Sequence, residues 1–93
     1  MVRADISQKM ILDYCQEQSE KNSSVLLDLE KYTWDNEEIP QMISGQLVGN
    51  FLQASILMIK ATRIVEVGMF TGFSALKMAE VIPDDGEIHT CEI

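Results

Sequence analysis

The sequence predicts an α/β fold in which helices precede the first βαβ unit of a parallel sheet. Residues 63–67 are rich in β-branched side chains and fit a buried strand. After a glycine turn at 68–72, apolar residues recur at helical spacing, and a Pro-Asp-Asp-Gly turn at 83–86 then leads into an alternating strand at 87–92. Strand, turn, helix, turn and strand in this order form a βαβ unit, for which a right-handed crossover is expected.

Two helices are predicted in the N-terminal half. The first runs from about Asp5 to Glu20, because Ile6, Met10 and Tyr14 recur at helical spacing. The second begins at a cap formed by Ser23 or Ser24 and fades by Trp34. Its apolar face would consist of Val25, Leu29 and Tyr32. A loop is expected over 35–40, because Pro40 lacks an N–H and disfavours helical backbone at the residue before it.

The third helix has the strongest amphipathic pattern and is expected to start at Ser44 as its N-cap. Its apolar face is predicted to comprise Leu47, Val48, Phe51, Leu52, Ser55, Ile56 and Ile59. Its opposite, polar face is predicted to comprise Gln46, Asn50 and Gln53. This helix would lead directly into the first strand.

The composition of the chain limits the classes of partner that it can bind. Acidic residues outnumber basic ones by 15 to 7, and a net charge of −8 disfavours nucleic acid and an anionic membrane surface. The longest apolar stretch, Phe51 to Ile59, contains polar residues and is shorter than the about 20 residues of a membrane span. Cys15 and Cys91 are too far apart to suggest a metal knuckle, and no signal peptide is visible, so a cytoplasmic location is expected.

The glycine turn is the segment most informative about function. Gly68 lets the backbone turn sharply and lets a ligand lie against it, while Gly72 permits close approach where the next helix starts. Open N–H groups at that start, with Ser74 beside them, favour a carboxylate or another polar acceptor. The Gly-x-x-x-Gly spacing differs from the Gly-x-Gly-x-x-Gly of dinucleotide sites, which weakens an oxidoreductase hypothesis. Glu92, at the end of the second strand, could accept both hydroxyls of a ribose; the alternative is an ordinary turn with a surface glutamate.

Four features occur together between Met42 and Ile93: Met-x-Ser, then Glu-x-Gly, then Phe-Thr-Gly-Phe-Ser-Ala-Leu, then Pro-Asp-Asp-Gly before an acidic strand end. This stretch resembles the S-adenosylmethionine-dependent O-methyltransferases of the caffeoyl-CoA and catechol O-methyltransferase-like family. The resemblance implies a Rossmann-like class I methyltransferase fold, with residues 42–93 as the first half of the cofactor-binding domain. Residues 1–41 resemble its helical N-terminal extension, which contributes to the substrate mouth and the dimer interface.

The resemblance also implies roles for individual residues. Glu66 would lie near the methionyl amino group of the cofactor, and the backbone of Gly68 and Met69 would pass along it. Ser74 would bind its carboxylate, and Glu92 would hold the ribose. The remaining cofactor-binding candidates are Ser44 and Gly72. Two departures from the family pattern are Val48-Gly49-Asn50, where an acidic-Gly-Gln run is common, and Glu92, where Asp is common.

The resemblance places the catalytic and metal-binding residues of the family on later strands, so no catalytic residue and no metal ligand is expected in this chain. It implies a longer enzyme that uses a Mg²⁺-type divalent cation and acts on a small hydroxylated acceptor, catechol-like or polyketide-type. Exposed apolar helix faces would then favour a homodimer or higher oligomer. Two alternatives remain open: a non-enzymatic helical interaction module with a vestigial cofactor turn, and a nucleotide-dependent oxidoreductase.

Overall fold

A computed structural model describes residues 6–92. The elements in chain order are α1 (Ile6–Gln18), α2 (Ser24–Asn36), a short 3-10 helix (Pro40–Met42), α3 (Gly45–Ile59), β1 (Arg63–Val67), α4 (Phe73–Ala79) and β2 (Glu87–Cys91). The three N-terminal helices, both strands and the connecting helix are therefore present as predicted. Helix α4 ends at Ala79, earlier than its apolar period suggested.

The two strands pair in parallel, which confirms the predicted βαβ unit. Arg63 is aligned with Glu87 at one end and Val67 with Cys91 at the other. The pairing continues past β1, because the Gly68 N–H donates to the Cys91 carbonyl at 2.7 Å. The carboxyl ends of both strands therefore lie side by side, directly below the glycine turn.

The core lies where α2, α3 and α4 meet. Its buried apolar side chains are Leu26, Ile56, Phe73 and Met78. One face of the sheet is half-buried, whereas the other is open: Val65 is 72% exposed and Val67 is 86% exposed. The helices therefore cover one side of this two-stranded sheet within the described residues.

Helix α1 forms close to its predicted bounds, but the face expected to be apolar and buried is not covered. Met10 and Tyr14 are 66% and 64% exposed. Only a few contacts join α1 to α3, and they include polar ones made by the end of α1. Asp5, the predicted first residue of this helix, lies outside the described residues.

Helix α2 continues to Asn36, so the prediction that it fades by Trp34 and that Asp35 begins a loop is wrong. Lys31 and Asp35, one helical turn apart, form an ion pair at 2.5 Å. The hydrogen bond to Asp35 and then its charge raise the pKa of Lys31 above its ordinary value. The predicted cap is confirmed, since the Ser23 hydroxyl accepts from the Leu26 N–H.

The buried face of α2 also differs from the predicted one. Leu26 and Thr33 are buried, at 1% and 0% exposure. Val25 and Tyr32, two of the predicted face residues, are 63% and 59% exposed. A threonine thus occupies the best-buried position of the helix, because its hydroxyl finds hydrogen-bond partners there.

The predicted faces of α3 are only partly confirmed: Ile56 of the apolar face is buried, but the polar face also contacts the protein. The polar side chains point at neighbouring elements: the amide of Gln46 donates to the Gln16 and Glu20 carbonyls, and the amide of Asn50 donates to the Glu20 carbonyl. Apolar residues of the predicted core face are instead exposed, with Phe51 at 72% and Ile59 at 75%. The polar face of α3 is therefore hydrogen-bonded to α1 and to the residues that follow α1.

Close packing between α3 and α4 involves a buried lysine. Lys77 is 1% exposed, and its ammonium group donates to the Asn22 side-chain oxygen at 2.6 Å. Its methylene chain runs past Gly49, where an added Cβ would lie 2.8 Å from both Cγ and Cε of Lys77. Gly49, in the run that departs from the family pattern, therefore leaves the space that the lysine fills.

The segment Pro40–Ile59 has the length and composition to cross a membrane, so the expectation that no stretch is long enough was wrong. Only Gly45–Ile59 is α-helical, however, and its 15 residues extend about 23 Å, against a hydrocarbon core of about 30 Å. Its amide side chains also donate to α1 and α4. These contacts favour a helix packed within a domain, and the absence of a membrane partner remains a prediction.

Candidate functional site

In the turn between β1 and α4, every second residue from Gly68 to Gly72 has a positive φ. Gly68 and Gly72 have φ of 89° and 93°, and Phe70 between them also has a positive φ, 51°. A Cβ added at either glycine would meet no atom within 4 Å, so the backbone there faces open space. The turn is closed by the Gly72 N–H, which donates to the Met69 carbonyl at 3.0 Å. The backbone is open at both glycines, as predicted, and its contact with a ligand remains a prediction.

This turn forms one side of a small cleft with a cavity volume of about 50 Å³. The start of α3 and the start of α4 provide the rest, and the lining residues are Met42, Ile43, Ser44, Gly68, Met69, Phe70, Thr71, Phe73 and Ser74. Small-molecule sites usually begin at about 300 Å³. The cleft is far smaller than that, so the described residues do not enclose a complete small-molecule site.

Glu92 turns toward the glycine turn. One carboxylate oxygen accepts from the Phe70 N–H at 2.6 Å, across 22 residues of sequence. A backbone N–H bound to a carboxylate forms a charge-assisted hydrogen bond, which is stronger than a neutral one. The bond fixes the carboxylate at the edge of the cleft and helps to hold Phe70 in its left-handed conformation.

Glu66 lies behind the cleft and does not line it. One of its carboxylate oxygens accepts from the Ser74 hydroxyl, and the other accepts from the Thr90 hydroxyl at 2.8 Å. A serine hydroxyl has one proton, so Ser74 offers lone pairs to the cleft while it donates to Glu66. Ser74 can donate to a ligand carboxylate only when its hydroxyl turns away from Glu66.

Ser44 lines the cleft, but it does not cap α3 with its side chain. Capping hydroxyls reach the first helical N–H groups from extended backbone, whereas Ser44 has helical angles of −65° and −41°. The predicted capping role is therefore wrong. It lies beside the glycine turn, and its contact with a cofactor remains a prediction.

The seven sequence-predicted site residues thus gather at one end of the sheet. Four line the cleft: Ser44, Gly68, Met69 and Ser74. Gly72 adjoins it, Glu92 reaches its edge and Glu66 lies behind it. Their roles toward a cofactor remain predictions.

Several residues at this site are not among the predicted ones, and two of them are linked threonines. Thr71 lines the cleft, and Thr33 of α2 is hydrogen-bonded to it at 2.9 Å. The position of Thr71 between the two glycines was a usable signal. Nothing in the local pattern of α2 distinguishes Thr33 from a solvent-facing threonine.

No three His, Cys, Asp or Glu side chains lie close enough to hold a metal ion within residues 6–92. His89 lies on the open face of the sheet, 3.3 Å from the Glu87 carboxylate, and is exposed. The divalent cation implied by the resemblance remains a prediction.

Comparison with known proteins gives the family. A family model described as O-methyltransferase matches residues 16–93. Caffeoyl-CoA O-methyltransferase from Stellaria longipes is 36% identical over 73 residues, which cover 78% of this chain and 30% of that protein. Caffeoyl-CoA O-methyltransferase 2 from Petunia hybrida is 44% identical over 45 residues, covering 48% of this chain and 19% of that protein. The chain spans about a third of the length of the curated relatives it matches.

Solved structures show the same fold. The SAH-bound methyltransferase PaMTH1 from Podospora anserina superposes with a TM-score of 0.85 at 24% identity, covering 97% of this chain and 39% of that one. The O-methyltransferase TomG from Streptomyces achromogenes, in complex with SAM, gives a TM-score of 0.78 at 23% identity, covering 87% of this chain and 36% of that one. The described residues thus have the architecture of the first part of a Rossmann-like class I methyltransferase. The chain belongs to the O-methyltransferase family, as the family model and the caffeoyl-CoA O-methyltransferase relatives together establish.

Proposed function

We propose that this chain forms one wall of the S-adenosylmethionine site of an O-methyltransferase. The hydrogen bond from the Phe70 N–H to Glu92 carries this proposal, because it brings the carboxylate at the end of β2 onto the glycine turn at the end of β1. Ligands of open α/β sheets bind outside the carboxyl ends of the strands, where this pair lies. A carboxylate beside bare peptide suits a ribose with a polar chain attached to it.

The ribose would bind at Glu92. Its carboxylate already accepts from the Phe70 N–H, and a carboxylate can bind two neighbouring hydroxyls through its two oxygens. The methionyl chain would lie along Gly68 and Met69, since the open space at the Gly68 Cβ position allows an atom of the ligand to touch the backbone. Gly72 keeps the following turn equally open.

The amino and carboxylate groups of the methionyl chain would bind near Ser74. The negative charge of Glu66 behind Ser74 attracts an ammonium group, and the Ser74 oxygen offers it a lone pair. Ser44, across the cleft, is placed to donate to the carboxylate. The same residues would therefore recognise both charges of an amino acid.

When bound, the cofactor supplies an electrophilic methyl group on a sulfonium sulfur. The contribution of this chain is alignment: holding the donor in line with an acceptor oxygen lowers the barrier by removing the entropy of their encounter. We assign no catalytic residue within the chain and expect the 93-residue chain alone to be inactive. Methylation of catechol by the isolated chain, measured with radiolabelled S-adenosylmethionine, would contradict that expectation.

We further propose that the acceptor is a small hydroxylated molecule, catechol-like or polyketide-type. The similarity to caffeoyl-CoA O-methyltransferases supports a phenolic oxygen. A Mg²⁺-type cation held by residues outside this chain would act there as a Lewis acid. Methylation of a catechol panel by an enzyme that contains this chain, with and without EDTA, tests both statements.

We also propose a cytoplasmic homodimer or higher oligomer. Free thiols at Cys15 and Cys91 suit a reducing compartment. Exposed apolar side chains on α1 and α2, such as Tyr14 and Trp34, suit contact with a second copy. Sedimentation velocity should give a mass above that of one chain, and a monomer at all concentrations would contradict assembly.

Calorimetric titration with SAH, S-adenosylmethionine and NAD tests the main proposal. Binding of the first two without NAD is the expected result. Binding of none would favour the helical interaction module with a vestigial turn. Binding of NAD alone would favour an oxidoreductase.

A further inference from the structure

A buried hydroxyl of α2 contacts the glycine turn. Thr33 is completely buried, and its Oγ1 lies 2.8 Å from the Leu29 carbonyl oxygen and 2.9 Å from the Thr71 Oγ1. Thr71 is the residue between Phe70 and Gly72, in the middle of the turn. One hydrogen bond thus joins the N-terminal helices to the peptide that lines the cleft.

The direction of this bond follows from counting protons. A carbonyl oxygen can only accept, so the single proton of Thr33 goes to Leu29. The bond to Thr71 must then use the Thr71 proton, with Thr33 as acceptor. The Thr71 hydroxyl therefore donates its proton to Thr33 and can act only as an acceptor toward a ligand.

The backbone conformation of the turn requires stabilising contacts. Phe70 is not glycine, yet it has a φ of 51°, a conformation that costs about 1–3 kcal/mol unless the surroundings hold it. The backbone of the turn is hydrogen-bonded within the turn, to Leu76 of α4, to Cys91 and to Glu92. The contact from Thr33 adds a side-chain bond from α2, so the turn is bonded both to α2 and to the end of β2.

We propose that Thr33 is a positioning residue for the cofactor turn: through Thr71 it keeps residues 69–72 in the shape that leaves the cleft open. The identity of the ligand rests on the proposed function, whereas the positioning itself does not. The N-terminal helical segment then has a role at the cofactor site in addition to packing.

Amide hydrogen exchange on the 93-residue chain tests the positioning. In Thr33→Val, the Phe70 and Gly72 amides should exchange about five-fold faster, as expected when one hydrogen bond of ordinary strength is lost. The Leu27 amide in α2 and the Glu87 amide at the start of β2 should stay within two-fold of wild type, because their bonds to Ser23 and Thr62 are untouched. Thr33→Ser keeps the hydroxyl and should restore the wild-type rates.

Unchanged rates at Phe70 and Gly72 in Thr33→Val would overturn the proposal, and so would equal acceleration at all four amides. If Thr33→Val does not fold, Thr71→Val removes the same bond from a half-buried position and should give the same pattern. The double variant should exchange no faster than either single variant, because only one bond is removed in each case.

SAH affinity provides the second measurement. It should fall about five-fold in Thr33→Val and recover in Thr33→Ser. Wild-type chain that binds no SAH would refute the proposed cofactor site, while the exchange rates would still decide the role of Thr33. Accelerated exchange with unchanged SAH affinity would refute the functional part of this inference.

Discussion

The glycine turn and helix α3 are neighbours in the structure and differ in how they are encoded. In the turn, the main signal is local: Gly68 and Gly72 take the positive φ that glycine favours, and a short β-branched strand precedes them. In α3, the amphipathic pattern gives the helix but not its full set of contacts, because its amides contact the protein and apolar residues such as Phe51 are exposed. Backbone conformation is a local property, whereas the buried face of a helix depends on which other elements are present.

The largest effect is expected at the turn itself. Gly68→Val places a β-branched side chain at a φ of 89° and into the space where the ligand would lie. We expect a stability loss of about 1–3 kcal/mol from backbone strain. SAH affinity should fall more than about a hundredfold, since the steric block removes about 3 kcal/mol or more of binding free energy. Calorimetric titration and urea unfolding measure the two effects.

Gly45→Val is the matched control for this variant. Gly45 has a φ of 83° and the same empty space at its Cβ position, but it does not line the cleft. Its stability loss should be similar and its SAH affinity close to wild type. Equal loss of affinity in both variants would show that backbone strain alone is responsible.

The next effect concerns the carboxylate at the edge of the cleft. Glu92→Ala removes the acceptor for the Phe70 N–H and for the ribose hydroxyls. We expect about 30-fold weaker SAH binding, equivalent to about 2 kcal/mol for hydrogen bonds to a charged group. Glu87→Ala, at the other end of the same strand and exposed, should bind SAH as wild type does.

A third variant tests whether the polar side chains of α3 stabilise the chain by contacting neighbouring elements. Gln53 of α3 donates to the Lys77 carbonyl at 2.6 Å and to the Glu80 carboxylate at 3.2 Å. Gln53→Met makes the helix more apolar but removes both bonds, so we expect a stability loss of about 1–2 kcal/mol. The same change at Gln18, an exposed residue of α1, should be nearly neutral in urea unfolding. A stabilised Gln53→Met chain would contradict the orientation of α3.

The smallest effect is expected at the end of α2. Asp35→Asn removes the charge that raises the pKa of Lys31. Because that pKa is raised, the ion pair stabilises the helix below the ordinary lysine pKa and is lost as pH rises through the higher value. The Glu37 amide, which donates to the Thr33 carbonyl, should exchange slightly faster at neutral pH in the variant. Asp28→Asn, an exposed change in the same helix, should leave that rate unchanged.

The features that could be predicted from the sequence are the local ones. Element order, the parallel pair and the turn were predictable, because strand composition, turn residues and helical period are all local signals. The position of Glu92 at the turn was also predictable, since parallel strands end at the same edge of a sheet.

The buried faces of α1, α2 and α3 could not be predicted, because that requires knowing what each helix contacts. Thr33 and Lys77 illustrate the difficulty: both are polar residue types that are usually exposed, and both are buried through partners far away in sequence. Their partners, Thr71 and Asn22, lie 38 and 55 residues away, so no sequence window contains the pair.

The central claim is that the glycine turn and Glu92 form a wall of an S-adenosylmethionine site. Titration of ¹⁵N-labelled chain with SAH, followed by amide chemical shifts, tests it most directly. We predict saturable shifts confined to Gly68–Ser74, Glu92 and the start of α3, with none on addition of NAD. Shifts that are absent from the turn, or that occur only on the outer faces of α1 and α2, would contradict it.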